Sequence, residues 1–251
     1  MLNQKESNVK IIVANWQMNG DFDFTYHYFK HLCECILPEN LRIIICPPLP
    51  FINLGFRLLV EHEITQICLG AQDVSSTINT NTTGGISATM LKECGATAVL
   101  IENVSSHNAS NSYMRVKNTI QENLCPILCI HVDISQQANT INDSISKQIN
   151  DYLQDLNTLE VIMVAFTIKN VEHIDNTLLM QHIYNIASII RTYITTNYHI
   201  NSLFVLYNGN INGSNINTII ANNNVDGVVL TDYSLQTHNF CETLEHLQLS
   251  N

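Results

Sequence analysis

The chain has 251 residues, 45% of them hydrophobic, and a formal net charge of −11. That length fits one large domain, 1–251, which buries enough apolar surface to need no disulfide or metal. The acidic balance, with no Lys/Arg cluster against it, excludes nucleic acid and anionic membrane surfaces as partners.

No apolar run is long enough to cross a bilayer, and Met1-Leu2-Asn3-Gln4-Lys5-Glu6 lacks the apolar centre of a secretory signal. A cytoplasmic location is therefore expected, with the eight cysteines as reduced core thiols. Cys33-Glu34-Cys35 and the pair Cys125 and Cys129 lack the spacing of a zinc site, so no metal or other cofactor is expected.

The first predicted strand, 10–14, carries Ile11-Ile12-Val13-Ala14 and runs into Asn15-Trp16-Gln17-Met18-Asn19-Gly20. A helix at 21–36, a strand at 41–46 and a short helix near 51–60 follow. The strand at 67–71 ends in Gly70-Ala71-Gln72-Asp73, and a polar stretch leads through Thr83-Gly84-Gly85-Ile86-Ser87 into a helix at 85–94. The remaining strands are expected at 97–102, 126–131, 160–166, 203–207 and 226–230. The remaining helices are expected at 108–121, 141–155, 176–196, 214–222 and 236–247. Each strand candidate is apolar almost throughout, as suits a parallel strand covered on both faces. Eight strand-helix units point to a closed (β/α)8 barrel. An open doubly wound sheet is the alternative, but no Gly-x-Gly-x-x-Gly turn supports it.

These strings, at these separations, resemble the triosephosphate isomerase family. Its first strand ends in Asn-Trp-Lys-Met-Asn-Gly, and its third loop and following helix read Gly-Ala-Gln-Asn, then Thr-Gly-Glu-Ile-Ser-Ala-x-Met-Leu-Lys. Here the latter is Thr83-Gly84-Gly85-Ile86-Ser87-Ala88-Thr89-Met90-Leu91-Lys92, and Tyr207-Asn208-Gly209-Asn210-Ile211 stands for Tyr-Gly-Gly-Ser-Val. Asp226-Gly227-Val228-Val229-Leu230 matches the last strand. The resemblance spans essentially the whole chain and implies the TIM barrel, a homodimer, aldose–ketose isomerisation and a place in glycolysis and gluconeogenesis.

The reactive positions depart from that pattern. The family's lysine, electrophilic histidine and glutamate base fall on Gln17, Asn103 and Thr167, and only Asn15 is kept. Enediol chemistry needs a base for a carbon-bound proton and donors for the developing enolate. Loss of the base alone costs roughly 10²–10⁴ in rate, and loss of charge stabilisation about 10²–10³ more. The phosphate-gripping positions are altered too: His173 replaces a lid glycine, Asn210 a loop-seven serine, and Thr231-Asp232 the loop-eight Gly-Gly. A carboxylate facing a bound anion about 4 Å away repels it by roughly 4 kcal/mol at an effective dielectric near 20.

The expected function is therefore a family member without isomerase activity, with a binding or scaffolding role. A weak isomerase, or a barrel repurposed for a non-anionic ligand, is the alternative. Glu102, one residue before Asn103, is expected on the opposite strand face, and Glu172, His107 and His131 are expected to be solvated or structural. Dimerisation is expected through the third loop, 73–85, where Ser75, Thr82, Thr83 and Gly84 sit among small polar residues.

Overall fold

A computed structural model describes residues 9–102, 109–156 and 158–247. Eight strands close into a parallel barrel in chain order: β1 Lys10–Asn15, β2 Leu41–Cys46, β3 Ile67–Ala71, β4 Ala96–Glu102, β5 Cys125–Asp133, β6 Thr158–Lys169, β7 His199–Asn208 and β8 Gly227–Leu230. Helices alternate with them: α1 Phe22–Leu32, α2 Leu49–Glu61, α3 Ala88–Glu93, α4 Ala109–Gln121, α5 Ala138–Leu153, α6 Asn176–Asn197, α7 Ile216–Ile220 and α8 Thr237–Glu245. A short 3₁₀ turn, Asp232–Leu235, precedes α8. The seam closes where β1 pairs with β8, from Ile11↔Gly227 to Ala14↔Leu230. There the chains approach so closely that a Cβ at Gly227 would lie 1.8 Å from the Ile11 carbonyl oxygen.

Strand alternation sorts the apolar residues into two cores. Ile11, Val13, Ile44, Ala98, Leu100, Ile127, Met163, Ala165, Phe204, Leu206 and Val229 fill the barrel lumen. Their odd-numbered or even-numbered neighbours, such as Ile12, Ile43, Val99, Leu128, Val164 and Val205, pack outward against the helices. At the bottom of the barrel the Asp226 carboxylate pairs with Arg191 of α6 and accepts the Val205 N–H at 2.8 Å, tying α6, β7 and β8 together.

Among the described residues, three helices start at a side-chain cap. Asp21 caps α1, Ser87 caps α3 and Asp175 caps α6, each side chain accepting an N–H of the first turn. α1 ends earlier than predicted: Cys33 is its C-cap, and the chain from 34 onward runs to Pro38 and β2.

The main departure is β6. It was expected to stop at 166, yet it continues through Thr167, Ile168 and Lys169, in register with His131, Val132 and Asp133 of a β5 that is likewise longer than expected. Where the resembling family has Glu-Pro, this chain has Thr167-Ile168, two β-branched residues that favour extended backbone. Proline lacks the N–H of a central strand residue, so its absence lets the ladder run on. Ile168 and Lys169 thus belong to the barrel wall, and only 170–175, with His173 among them, connect β6 to α6.

Candidate active site

The lumen-facing register, followed to the C-terminal strand ends, defines what lines the barrel mouth. Counting in twos from Val13, Leu100, Cys129, Ala165, Leu206 and Val229 reaches Asn15, Glu102, His131, Thr167, Asn208 and Thr231. Glu102 therefore shares the lumen register, contrary to the sequence expectation. It stands opposite Cys129 on β5, and its charge is felt by both the Cys129 thiol and the His131 ring. Asn103 lies outside the described residues, as does His107.

Gln17 is held by its backbone. Its N–H donates to Asn15 Oδ1 at 3.1 Å, its carbonyl accepts from Gln72 Nε2 at 2.8 Å, and its φ is +52°. Behind it Trp16 is fully buried, in edge contact with Phe24 at 5.2 Å and Tyr28 at 4.6 Å between ring centroids. A left-handed non-glycine residue costs about 1–3 kcal/mol and persists only where its surroundings impose it. The frame that would present a side chain at position 17 is intact, while the side chain it presents is an exposed amide.

Thr167 is part-buried in β6, and its hydroxyl accepts a hydrogen bond from Asn208 Nδ2 at 3.0 Å, across the Thr167↔Asn208 rung. Position 167 thus presents a hydroxyl and no carboxylate. His131, on the other flank of Thr167, is more tightly built. Gln148 of α5 clamps its backbone with two bonds of 2.9 Å. The Tyr152 hydroxyl braces the same corner, 2.8 Å from the Ile101 carbonyl and 2.7 Å from that of Cys129. The ring's Nδ1 is buried without a hydrogen-bond partner. Burial pushes the His131 pKa below its ordinary value, the Lys169 ammonium lowers it further, and Glu102 opposes both.

The altered anion positions are scattered around the rim. His173 is exposed in the short β6–α6 turn, in which Asn170 (φ +63°) donates to Asp133 Oδ1 at 2.8 Å. Two bonds from Ser135, and then this one, hold the Asp133 carboxyl below the usual range. In loop seven Asn210 is exposed, and neighbouring donors are already used: Asn212 N–H bonds Asn215 Oδ1 at 2.9 Å, and Ser214 N–H bonds Asn212 Oδ1 at 2.9 Å. Gly209 serves packing, since a Cβ there would come 2.2 Å from the Tyr207 hydroxyl. Asp232 is exposed at the start of the 3₁₀ turn, and the Thr231 carbonyl accepts from Ser234 N at 2.9 Å and Oγ at 2.6 Å. Among the described residues, loops seven and eight offer no free glycine-lined nest for a phosphate.

The third loop has its own support. Ser75 N–H bonds the Ile86 carbonyl at 2.8 Å to close its neck, and Asp73 pairs with Arg115 of α4 at 3.4 Å. Thr77, Asn79 and Asn81 each donate a backbone N–H to a side-chain oxygen two residues earlier. Thr82, Thr83 and Gly84 are exposed at its far end with Ile78, while Ser75 is half-buried at the neck. Beside the loop lies a cleft of about 590 Å³ lined by Gln17, Met18, Phe51, Ser76, Gly85 and Arg115 among others.

Gln72, Gln148 and Asn208 were not singled out from sequence. Asn208 was reachable by counting in twos from Leu206, whereas nothing local marks Gln148 as a clamp two elements away.

A closed parallel (β/α)8 barrel with its polar side chains gathered at the C-terminal strand ends places the molecule in the TIM-barrel class. The chain belongs to the triosephosphate isomerase family: the family's model matches residues 10–247. The triosephosphate isomerase of Buchnera aphidicola subsp. Cinara cedri (strain Cc) is 26% identical over 247 residues, covering 94% of this chain and 97% of that protein. That of Dictyoglomus thermophilum is 27% identical over 243 residues, covering 92% and 96%. The crystal structure of triosephosphate isomerase from Bartonella henselae aligns with a TM-score of 0.80 at 22% identity, covering 93% of this chain and 97% of that one, and so supports the fold.

Proposed function

We propose that this family member does not interconvert triose phosphates and that its barrel has been retained for binding or scaffolding. The observation that carries the reading is Thr167: the position of the base holds a hydroxyl, bonded to Asn208 and built into an extended strand. A threonine hydroxyl does not remove a carbon-bound proton near neutral pH without an activating partner. The exposed amide of Gln17 and the occupied donors of loop seven support the same conclusion, as does the carboxylate of Asp232. The working form proposed is a cytoplasmic homodimer, in which the loop 73–85 of one copy enters the cleft beside Gln17 of the other.

Ligand charge tests this directly. Inorganic phosphate, sulfate and phosphoglycolate at millimolar concentration leave the melting temperature unchanged. A site occupied at 100 times its Kd would add about 2.7 kcal/mol, which a thermal melt reads easily. A clear upward shift with phosphate shows that the anion grip has survived and overturns the reading.

One observation favours a second reading, a barrel repurposed for an uncharged or cationic ligand. Glu102 and His131 share the mouth register with Thr167 and Asn208, and the His131 ring is kept neutral with an unpartnered nitrogen. An acid–base pair of this kind would act on a neutral polar substrate. A thermal-shift screen of neutral polyols and amines decides it: a hit that Glu102→Gln abolishes supports this reading, and an empty screen supports the inert barrel.

A further inference from the structure

The end of α1 and the loop after it are moored to α8 at two points in step with one another. The His31 ring lies 6.2 Å from that of His238, and the Ile36 N–H donates to Glu245 Oε1 at 3.1 Å. Between these anchors on both strands of the contact sit Cys35 and Cys241. Residues 238, 241 and 245 follow the three-and-four spacing of one helical face, so the same face carries all three partners. The Cys35 S–H donates to the His31 carbonyl at 3.5 Å, and each of the two thiols is felt by the other. Cys35 is half-buried and open to small solutes, whereas Cys241 is only 4% exposed.

We propose that Cys35 and Cys241 form a redox site at which a hydroperoxide makes a disulfide joining the loop after α1 to α8. The Cys35 sulfur attacks the peroxide, the O–O bond breaks, and the alcohol or water leaves with Cys35 as its sulfenic acid. The Cys241 sulfur then attacks Cys35, the S–O bond breaks, and the departing hydroxide takes the Cys241 proton as water. Two thiols lose two electrons and the hydroperoxide gains them. The order is fixed by the environment. Cys35 is the partly exposed thiol that a peroxide reaches first, and Cys241 is buried behind it. Interaction with Cys241 also holds the Cys35 thiol below its usual pKa, while interaction with Cys35 and burial raise Cys241.

The other thiols lack this arrangement. Burial pushes Cys33 up to about 11, and Cys125 and Cys129 up to about 12, which leaves them protonated and slow. Cys46 lies in the barrel lumen, closed to peroxide. The bridge would close a loop running from position 35 to 241, between the first and the last helix–loop elements of the barrel. Cross-links over long loops restrict the unfolded chain most.

The test uses the full chain treated with a small excess of hydrogen peroxide, alkylated and digested with trypsin. The expected product joins the peptide 31–42 to the C-terminal peptide 192–251, about 2 Da below the sum of the two. It persists in Cys33→Ser, disappears in Cys35→Ser and Cys241→Ala, and is reversed by dithiothreitol. The oxidised Cys33→Ser protein melts several degrees above its reduced form. Should Cys241→Ala fail to fold, the linked peptide in Cys33→Ser and its absence in Cys35→Ser still decide the matter. A link through Cys33, or over-oxidation of Cys35 with no cross-link, overturns the proposal.

Discussion

At position 131 the fold has spent two elements on one histidine: Gln148 and β6 hold its backbone, and its ring is left neutral beside Glu102 and Lys169. The sign of its pH dependence follows. The unfolded chain protonates this histidine near its ordinary value of about 6.5, and the folded chain does so only at lower pH. Stability from this group is therefore complete above that value and declines as pH falls through it. In His131→Gln the drop in melting temperature from about pH 7.5 to 5.5 is smaller than in the parent chain. Equal drops in the two proteins contradict the assignment. The sequence pointed to Gln17, Thr167, His173, Asn210, Thr231 and Asp232 through their offsets from the flanking motifs. It placed the end of the fourth strand at Glu102, where β4 does end, and misjudged only which face Glu102 takes, because position 103 was expected to face the mouth.

The extension of β6 is the element-scale change with the largest consequence. A segment that resembles a lid by position is wall by structure, and Ile168 within it is buried. Ile168→Pro removes an N–H, restricts Thr167 to extended backbone and loses apolar burial, at a cost of about 1–3 kcal/mol. For a chain of this size, each kcal/mol lowers the melting temperature by roughly 2–4 °C. An unchanged melt indicates that the strand end bears no load. Strand positions were legible throughout because buried parallel strands read as apolar runs, and helix positions were legible as the longer amphipathic stretches between them. The ends of β5, β6 and β7 were not legible, since polar residues there continue the ladder by pairing with one another.

For the whole molecule, the loop 73–85 is shaped before any partner arrives, by side-chain bonds within it and the Arg115–Asp73 pair at its base. Exposed Ile78 at its tip and exposed Met18 beside the cleft are apolar surfaces that a second copy would cover. Light scattering at micromolar concentration is expected to give twice the single-chain mass, and deletion of 76–82 to give monomers. A single-chain mass for the parent contradicts the dimer, and a dimer that survives the deletion puts the interface elsewhere. The barrel itself was legible from the count of strand–helix units and from the family's strings. The chemistry was legible only as departures from the family's reactive side chains, on which the proposed loss of activity rests. Turnover tests that loss most directly: dihydroxyacetone phosphate and glyceraldehyde 3-phosphate are interconverted in a coupled assay with the purified chain. The expected rate equals that of buffer, and Gln17→Lys, Asn103→His and Thr167→Glu together do not restore normal turnover, because the β6 wall and the anion loops stay as they are. A kcat above about 10 s⁻¹ for the unmodified chain, the middle of the enzyme range, contradicts the loss of isomerase chemistry.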